Sequence, residues 1–158
     1  MTKTARTQYW LMKSEPDELS IADLAERKCW HWDGVRNYEA RNFMRDKMRI
    51  GDKVLFYHSS VPPLGVVGIA RVASLPYPDH TQFDKRSKYF DPKATKEKPI
   101  WHMVDVSFEK MFSAKITRDA LQKIPGFKNA LLWKRPRLSI VPLTKEEFDA
   151  VLAHAKQK

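Results

Sequence analysis

The amino-acid sequence predicts an α+β fold, a small, curved, mixed sheet or partial barrel with helices packed around it. Its 158 residues fit one domain. Several short runs rich in β-branched and aromatic residues read as strands. They do not alternate regularly with helical segments, which argues against a doubly wound parallel sheet.

The elements follow in order. Residues 1–7 read as a disordered N-terminus and 8–158 as a single domain. QYWLMK (8–13) is an apolar run and a buried strand. Pro16 cannot continue a ladder, so SEP ends it. Ser20 is placed to cap the helix IADLAERK, with Asp23 in its first turn. Asn37 is placed to cap a second helix whose Ala40, Phe43, Met44 and Met48 share one face. Arg41, Arg45 and Arg49 run beside that stripe as a basic ridge. Gly51-Asp52 turns the chain into the strand KVLFYH (53–58), and GVVGIARVA (65–73) is the next strand. Residues 74–100 form a long irregular stretch, the kind that is functional or mobile in a compact domain. WHMVDVSFEKMF (101–112) reads as a long strand, TRDALQKI as a short helix under Thr117, and RLSIV (137–141) as a last strand. Thr144 and Glu147 fit the capping box of a final helix whose Phe148, Val151, Leu152 and Ala155 face the core.

Charge narrows the partners. Lys and Arg number 29 against 19 Asp and Glu, a net charge of +10. The first 35 residues hold 5 basic and 6 acidic side chains, and the remainder 24 and 13. A basic surface of this size attracts polyanions, nucleic acid above all, although it also serves solubility alone. No apolar run approaches the roughly 20 residues of a membrane helix. MTKTARTQYW lacks the apolar centre of a secretory signal, which predicts an intracellular protein, cytoplasmic in a bacterium and nuclear in a eukaryote. The single cysteine, Cys29, excludes an internal disulfide and by default is a small buried hydrophobe.

Few motifs carry chemistry. Walker, dinucleotide-binding and nucleophile-elbow signatures are missing, and Cys29 and His31 lack metal-ligand spacing, so no cofactor and no metal are expected. His58 and Ser59 adjoin on a strand and point to opposite faces, so they form no base–nucleophile pair; His58 reads as a strand-end residue making structural hydrogen bonds. Lys13, Ser14 and Glu15 leave the first strand together, as a surface turn or as an acid–base group. Among five tryptophans, Trp10 and Trp133 read as core. Trp30 and Trp32, if extended, point to one side, followed by Arg36, Asn37 and Tyr38. Composition leaves these indoles open between core and a stacking wall for a nucleobase.

YWLMKSEP, WDGVRNYEARNFMR, GDKVLFYHS, GVVGIARV, YPDHTQFD, YFDP, WHMVDVSF and RLSIVPLTKEEF together resemble the EVE domain over about residues 8–155. The resemblance implies a PUA-like fold related to YTH and ASCH domains. It implies a non-enzymatic module that reads a methylated or hydroxymethylated base in DNA or RNA. Separately, a monomer without a membrane partner is expected. By similarity Trp32 would be one cage wall and Trp101 the opposing one, Lys13 and Ser14 the rim, and Arg36 and Asn37 the polar contacts. Trp32 is preferred to Trp30 because it directly precedes DGVRNY. Tyr38, His58, Ser59, Gln82, Phe83 and Asp84 fall in segments that would line the same cleft. Arg41, Arg45, Arg49, Lys85, Arg86 and Lys88 would hold flanking phosphates. The competing expectation is a small ASCH-like hydrolase of a modified nucleoside that uses Lys13 and Glu15.

Overall fold

A computed structural model describes residues 6–156. The expected disordered N-terminus falls outside the described residues for positions 1–5, and Arg6 and Thr7 are exposed and irregular. The elements are β1 (Tyr9–Ser14), α1 (Ile21–Arg27), β2 (Cys29–His31), α2 (Tyr38–Asn42) continued by a π turn (Phe43–Lys47), β3 (Lys53–His58) and β4 (Gly65–Val72). Next come β5 (Tyr77–Pro78), a 3-10 turn (His80–Phe83), β6 (His102–Met103), β7 (Asp105–Thr117) and α3 (Arg118–Gln122). A second 3-10 turn (Pro125–Phe127), α4 (Leu131–Lys134), β8 (Ile140–Leu143) and α5 (Lys145–Lys156) complete the chain.

Six strands form one sheet in the order β2-β7-β4-β3-β1-β8, and β5 pairs with β6 apart from it. Among the described residues only β1 and β3 pair in parallel. Register shifts at Phe56/Tyr57, Val66/Gly68 and Ile69/Ala70 put extra residues into the ladders. Such bulges bend a strand and raise its twist, and here they curl the sheet into a half-barrel. Gly68 sits at one of them, where a Cβ would come 2.3 Å from the Lys110 carbonyl oxygen. The α+β, PUA-like half-barrel with flanking helices is therefore the observed fold.

Burial explains the strands. Leu11, Met12, Val54, Leu55, Phe56, Val66, Ala70, Ile140 and Val141 are fully buried in one core. Each large side chain there contributes about 1.5–3 kcal/mol relative to exposure. The buried Asp52 carboxylate joins β1 to the start of β3. It accepts from the Trp10 indole at 2.9 Å, from Gln8 N at 3.1 Å and from Arg49 N at 2.9 Å.

Local signals hold at the caps. Ser20 and Asp23 form a reciprocal capping box on α1, and Thr144 and Glu147 do the same for α5. Asn37 Oδ1 accepts from Ala40 N at 2.9 Å, so this amide caps α2. The helix it starts is shorter than the apolar stripe suggests, because Met48 N bonds Phe43 O and a π turn replaces the last α turn. The expected strand over 101–112 is divided: the carbonyl of Val104 receives Trp32 N at 2.8 Å, and β7 then runs on to Thr117. The last strand shifts from 137–141 to 140–143, since Leu138 N closes a turn on Arg135 O. Cys29 is exposed rather than buried, because β2 is an edge strand. Among the described residues no helix is long and apolar enough to cross a membrane.

Candidate functional site

A cleft of about 410 Å³ opens where β1 ends, beside the chain leaving β2. Its size lies in the range of small-molecule and base-binding sites. Lys13, Ser14 and Glu15 form one rim, Trp30 to Arg36 one wall, Tyr89 a second, and Pro136, Arg137 and Ser139 the far side.

The wall is built by an internal clamp. Asp79 is fully buried and accepts from Gly34 N at 2.8 Å, Arg36 Nη1 at 3.1 Å and Thr81 N at 2.8 Å. Arg36 also donates to Tyr89 O from Nε at 3.0 Å and Nη2 at 2.8 Å, to Val35 O at 2.9 Å and to Thr81 Oγ1 at 2.9 Å. A guanidinium has five N–H donors, and all five are used here. Arg36 thus lines the cleft as a brace. Gly34 lets the Tyr89 ring approach: its φ is +81°, and a Cβ would lie 2.7 Å from that ring.

The two neighbouring indoles differ. Trp30 is 38% exposed with the Arg27 guanidinium 4.2 Å from its ring centroid, whereas Trp32 is 5% exposed and packs edge-on against Phe56. Both border the cleft, Trp30 with a solvent-facing ring and Trp32 as part of its base.

Of the expected pocket residues, Lys13, Ser14, Trp30, Trp32, Arg36 and Ser59 come together, and Glu15 joins them. Trp101 lies elsewhere. It is buried under Tyr38, which stacks on it at 4.8 Å, with Arg36 and Arg41 over its ring and its indole N–H on Asp91 at 2.8 Å. It does not line this cleft. Tyr38 and Asn37 leave the cleft with α2. His58 accepts from Ile21 N at 3.2 Å, which ties α1 to β3. Phe83 sits in the 3-10 turn, outside the lining, and Gln82 is a fully buried clamp whose amide bonds Ile100 N, Trp101 N, Trp101 O and Asp79 O. Tyr89, Asp33, Arg137 and Ser139 line the cleft without having been expected there, although they stand in the quoted motifs YFDP, WDGVRNYEARNFMR and RLSIVPLTKEEF; His31, named only for lacking metal-ligand spacing with Cys29, lines it too.

Burial and then the nearby Arg118 push the Lys13 ammonium below its usual pKa; its Nζ donates to Pro136 O at 2.9 Å. Burial likewise raises the Asp33 carboxyl against the pull of His31. Burial alone would raise Asp79, but the hydrogen bonds from Thr81, Gly34 and Arg36 outweigh it and hold the carboxyl below its ordinary value. A smaller depression next to the cleft shares Lys13, Ser59 and Pro136 and adds Arg118. The outer basic residues have local partners in several cases: Arg41 donates to Ile100 O at 2.9 Å, Arg45 pairs with Asp46 and Lys88 with Glu18. Arg49, Lys85 and Arg86 are exposed.

The family model of the EVE domain matches residues 8–154. The chicken (Gallus gallus) thymocyte nuclear protein 1 is 43% identical over 169 residues, which cover 95% of this chain and 69% of that protein. Human (Homo sapiens) THYN1, solved in complex with 5-methylcytosine-containing DNA, superposes with TM-score 0.91 at 40% identity and covers 96% of this chain and 99% of that one. An ASCH protein mutant from Zymomonas mobilis matches with TM-score 0.52 at 12% identity and 92% and 96% coverage, a likeness of fold alone. With its family match spanning nearly every described residue, the chain belongs to the EVE domain family.

Proposed function

We propose that this protein binds nucleic acid carrying a modified base, with methylated cytosine in DNA as the first candidate, and that the cleft behind β1 receives the base. The observation that carries the reading is the human relative's complex with 5-methylcytosine DNA, at 40% identity over 96% of this chain. The cleft suits the ligand. It is large enough for one base, and the partly exposed Trp30 ring would offer a stacking face if the base displaced the Arg27 guanidinium or the His31 ring, which lie 4.2 Å and 4.6 Å from its centroid. The hydroxyls of Ser59 and Ser139 and the Asp33 carboxylate supply donors and acceptors for base edges. A duplex base would have to leave its stack to enter. Lys13, Arg118 and Arg137 at the mouth would meet flanking phosphates, and Arg49, Lys85 and Arg86 would extend that contact outward.

Titration of the protein with matched oligonucleotides containing cytosine or 5-methylcytosine, read by tryptophan fluorescence, tests this. Tighter binding of the methylated strand, weakened by Trp30→Ala, is expected. Equal affinity for both strands would overturn the base-reading role.

A hydrolase reading keeps one observation in its favour: Lys13, with its lowered pKa, and Glu15 border the same cleft. Incubation with acylated and alkylated nucleosides decides it. Product formation lost in Lys13→Ala would establish an enzyme, and no product at high protein concentration would leave the binder.

A further inference from the structure

His31, Asp33 and His80 bring one ligand atom each to within 4.8 Å of one another. His31 ends β2, Asp33 follows two residues later, and His80 opens the 3-10 turn of the long irregular stretch. Alternation along an extended chain places His31 and Asp33 on one side. Their side chains already approach to 3.4 Å, and the His80 ring meets the His31 ring edge-on at 5.0 Å.

The convergence is held by the frame of the fold. Asp79 is fully buried next to His80 and fixes both segments at once, through Gly34 N on the Asp33 side and Thr81 N on the His80 side. The three donors are thus brought together by a rigid carboxylate network rather than by a flexible surface. Asp33 is half-buried, and an oxygen of its carboxylate faces the imidazole of His31. Two imidazoles and one carboxylate are a donor set suited to zinc and neighbouring divalent ions, which take nitrogen at about 2.0–2.1 Å and oxygen at about 2.0–2.2 Å.

We propose that His31, Asp33 and His80 form a binding site for a borderline divalent metal ion of the zinc class. Tetrahedral ligation requires donor atoms about 3.3 Å apart, which the His31–Asp33 pair meets and which side-chain rotation of the exposed His80 brings about for the third. Three protein ligands leave a fourth position for water or a ligand atom. Since His31 and Asp33 also line the cleft, the ion would add positive charge to its wall. The inference shares Asp33 with the base-reading proposal, and zinc titration without nucleic acid tests it separately.

The test is calorimetric titration of the chelator-stripped full chain with zinc chloride near neutral pH, with cobalt(II) absorption as a second readout. One zinc per chain is expected, with visible cobalt bands of nitrogen–oxygen ligation. His80→Ala and Asp33→Asn should each weaken zinc by about tenfold or more, while His102→Ala, in β6 and outside the trio, leaves it unchanged. Thermal unfolding shows that the variants are folded. Absence of saturable zinc uptake up to millimolar concentration, or unchanged affinity in His80→Ala or Asp33→Asn, would overturn the site.

Discussion

Arg36 Nη1 stands 3.1 Å from Asp79 Oδ2, and the carboxylate it meets has no solvent exposure. This pair joins the DGVRNY segment to the turn that carries His80 and braces the cleft wall. Removing the cation leaves a buried charge without its counter-ion, the costly half of a buried pair. Arg36→Ala should therefore destabilise the fold by about 3–5 kcal/mol, measured by urea unfolding. Arg36→Lys should recover only part of this, since an ammonium offers three donors where five are in use.

Stability should fall in two stages on acidification. His58 accepts a backbone N–H, and burial, then the nearby Lys115, lowers its pKa below 6.5. The unfolded chain then holds that proton more tightly than the folded one, so the His58 contribution is full above about pH 6.5 and lost as pH falls through the lower folded value. Asp79 adds the second stage. Its depressed folded pKa makes its contribution complete above 3.8 and lost as pH drops through the folded value. Urea midpoints measured across this range check both stages, and His58→Gln should flatten the first.

Trp30→Ala should weaken binding of a modified oligonucleotide by about 1–3 kcal/mol, the contribution of one stacked base. Its exposed ring makes the cost to folding small. Fluorescence titration alongside thermal unfolding separates the two effects.

Gly34→Ala should lower stability by about 2–3 kcal/mol. The left-handed backbone strains a Cβ, and the Tyr89 ring has to move from it. Differential scanning calorimetry reads the loss, and the displaced ring should also weaken ligand binding.

Arg137→Ala should reduce the slope of log affinity against log salt by about one, as expected for one phosphate contact at the cleft mouth. Binding isotherms at several salt concentrations provide the measure.

The site was legible in part. Lys13, Ser14 and Trp32 stand in quoted motifs and Trp30 two residues before one, and these two segments, with three strands between them in the sheet, border one cleft. Trp101 could not be separated from them: an aromatic residue after a polar loop suits a stacking wall as well as a loop core, and only the Tyr38 ring lying on it decides. Arg36 and Asn37 carried the right chemistry for base contact, yet all five Arg36 donors and the Asn37 Oδ1 are engaged within the fold.

By itself the sequence determined what depends on near neighbours. The caps at Ser20, Asn37, Thr117 and Thr144 and the apolar stripe of α5 rest on interactions a few residues apart, and β3 and β4 were readable from their runs of β-branched and aromatic residues. The family follows from motifs read in order along the chain. Tertiary structure alone decided which rings remain open to a ligand, that Cys29 lies on an exposed edge, and that His80 meets His31 and Asp33. The physical reason is that exposure and convergence arise from segments tens of residues apart. They are brought together by a curled sheet and by the buried hydrogen bonds of Asp79 and Gln82, which leave no local pattern to read.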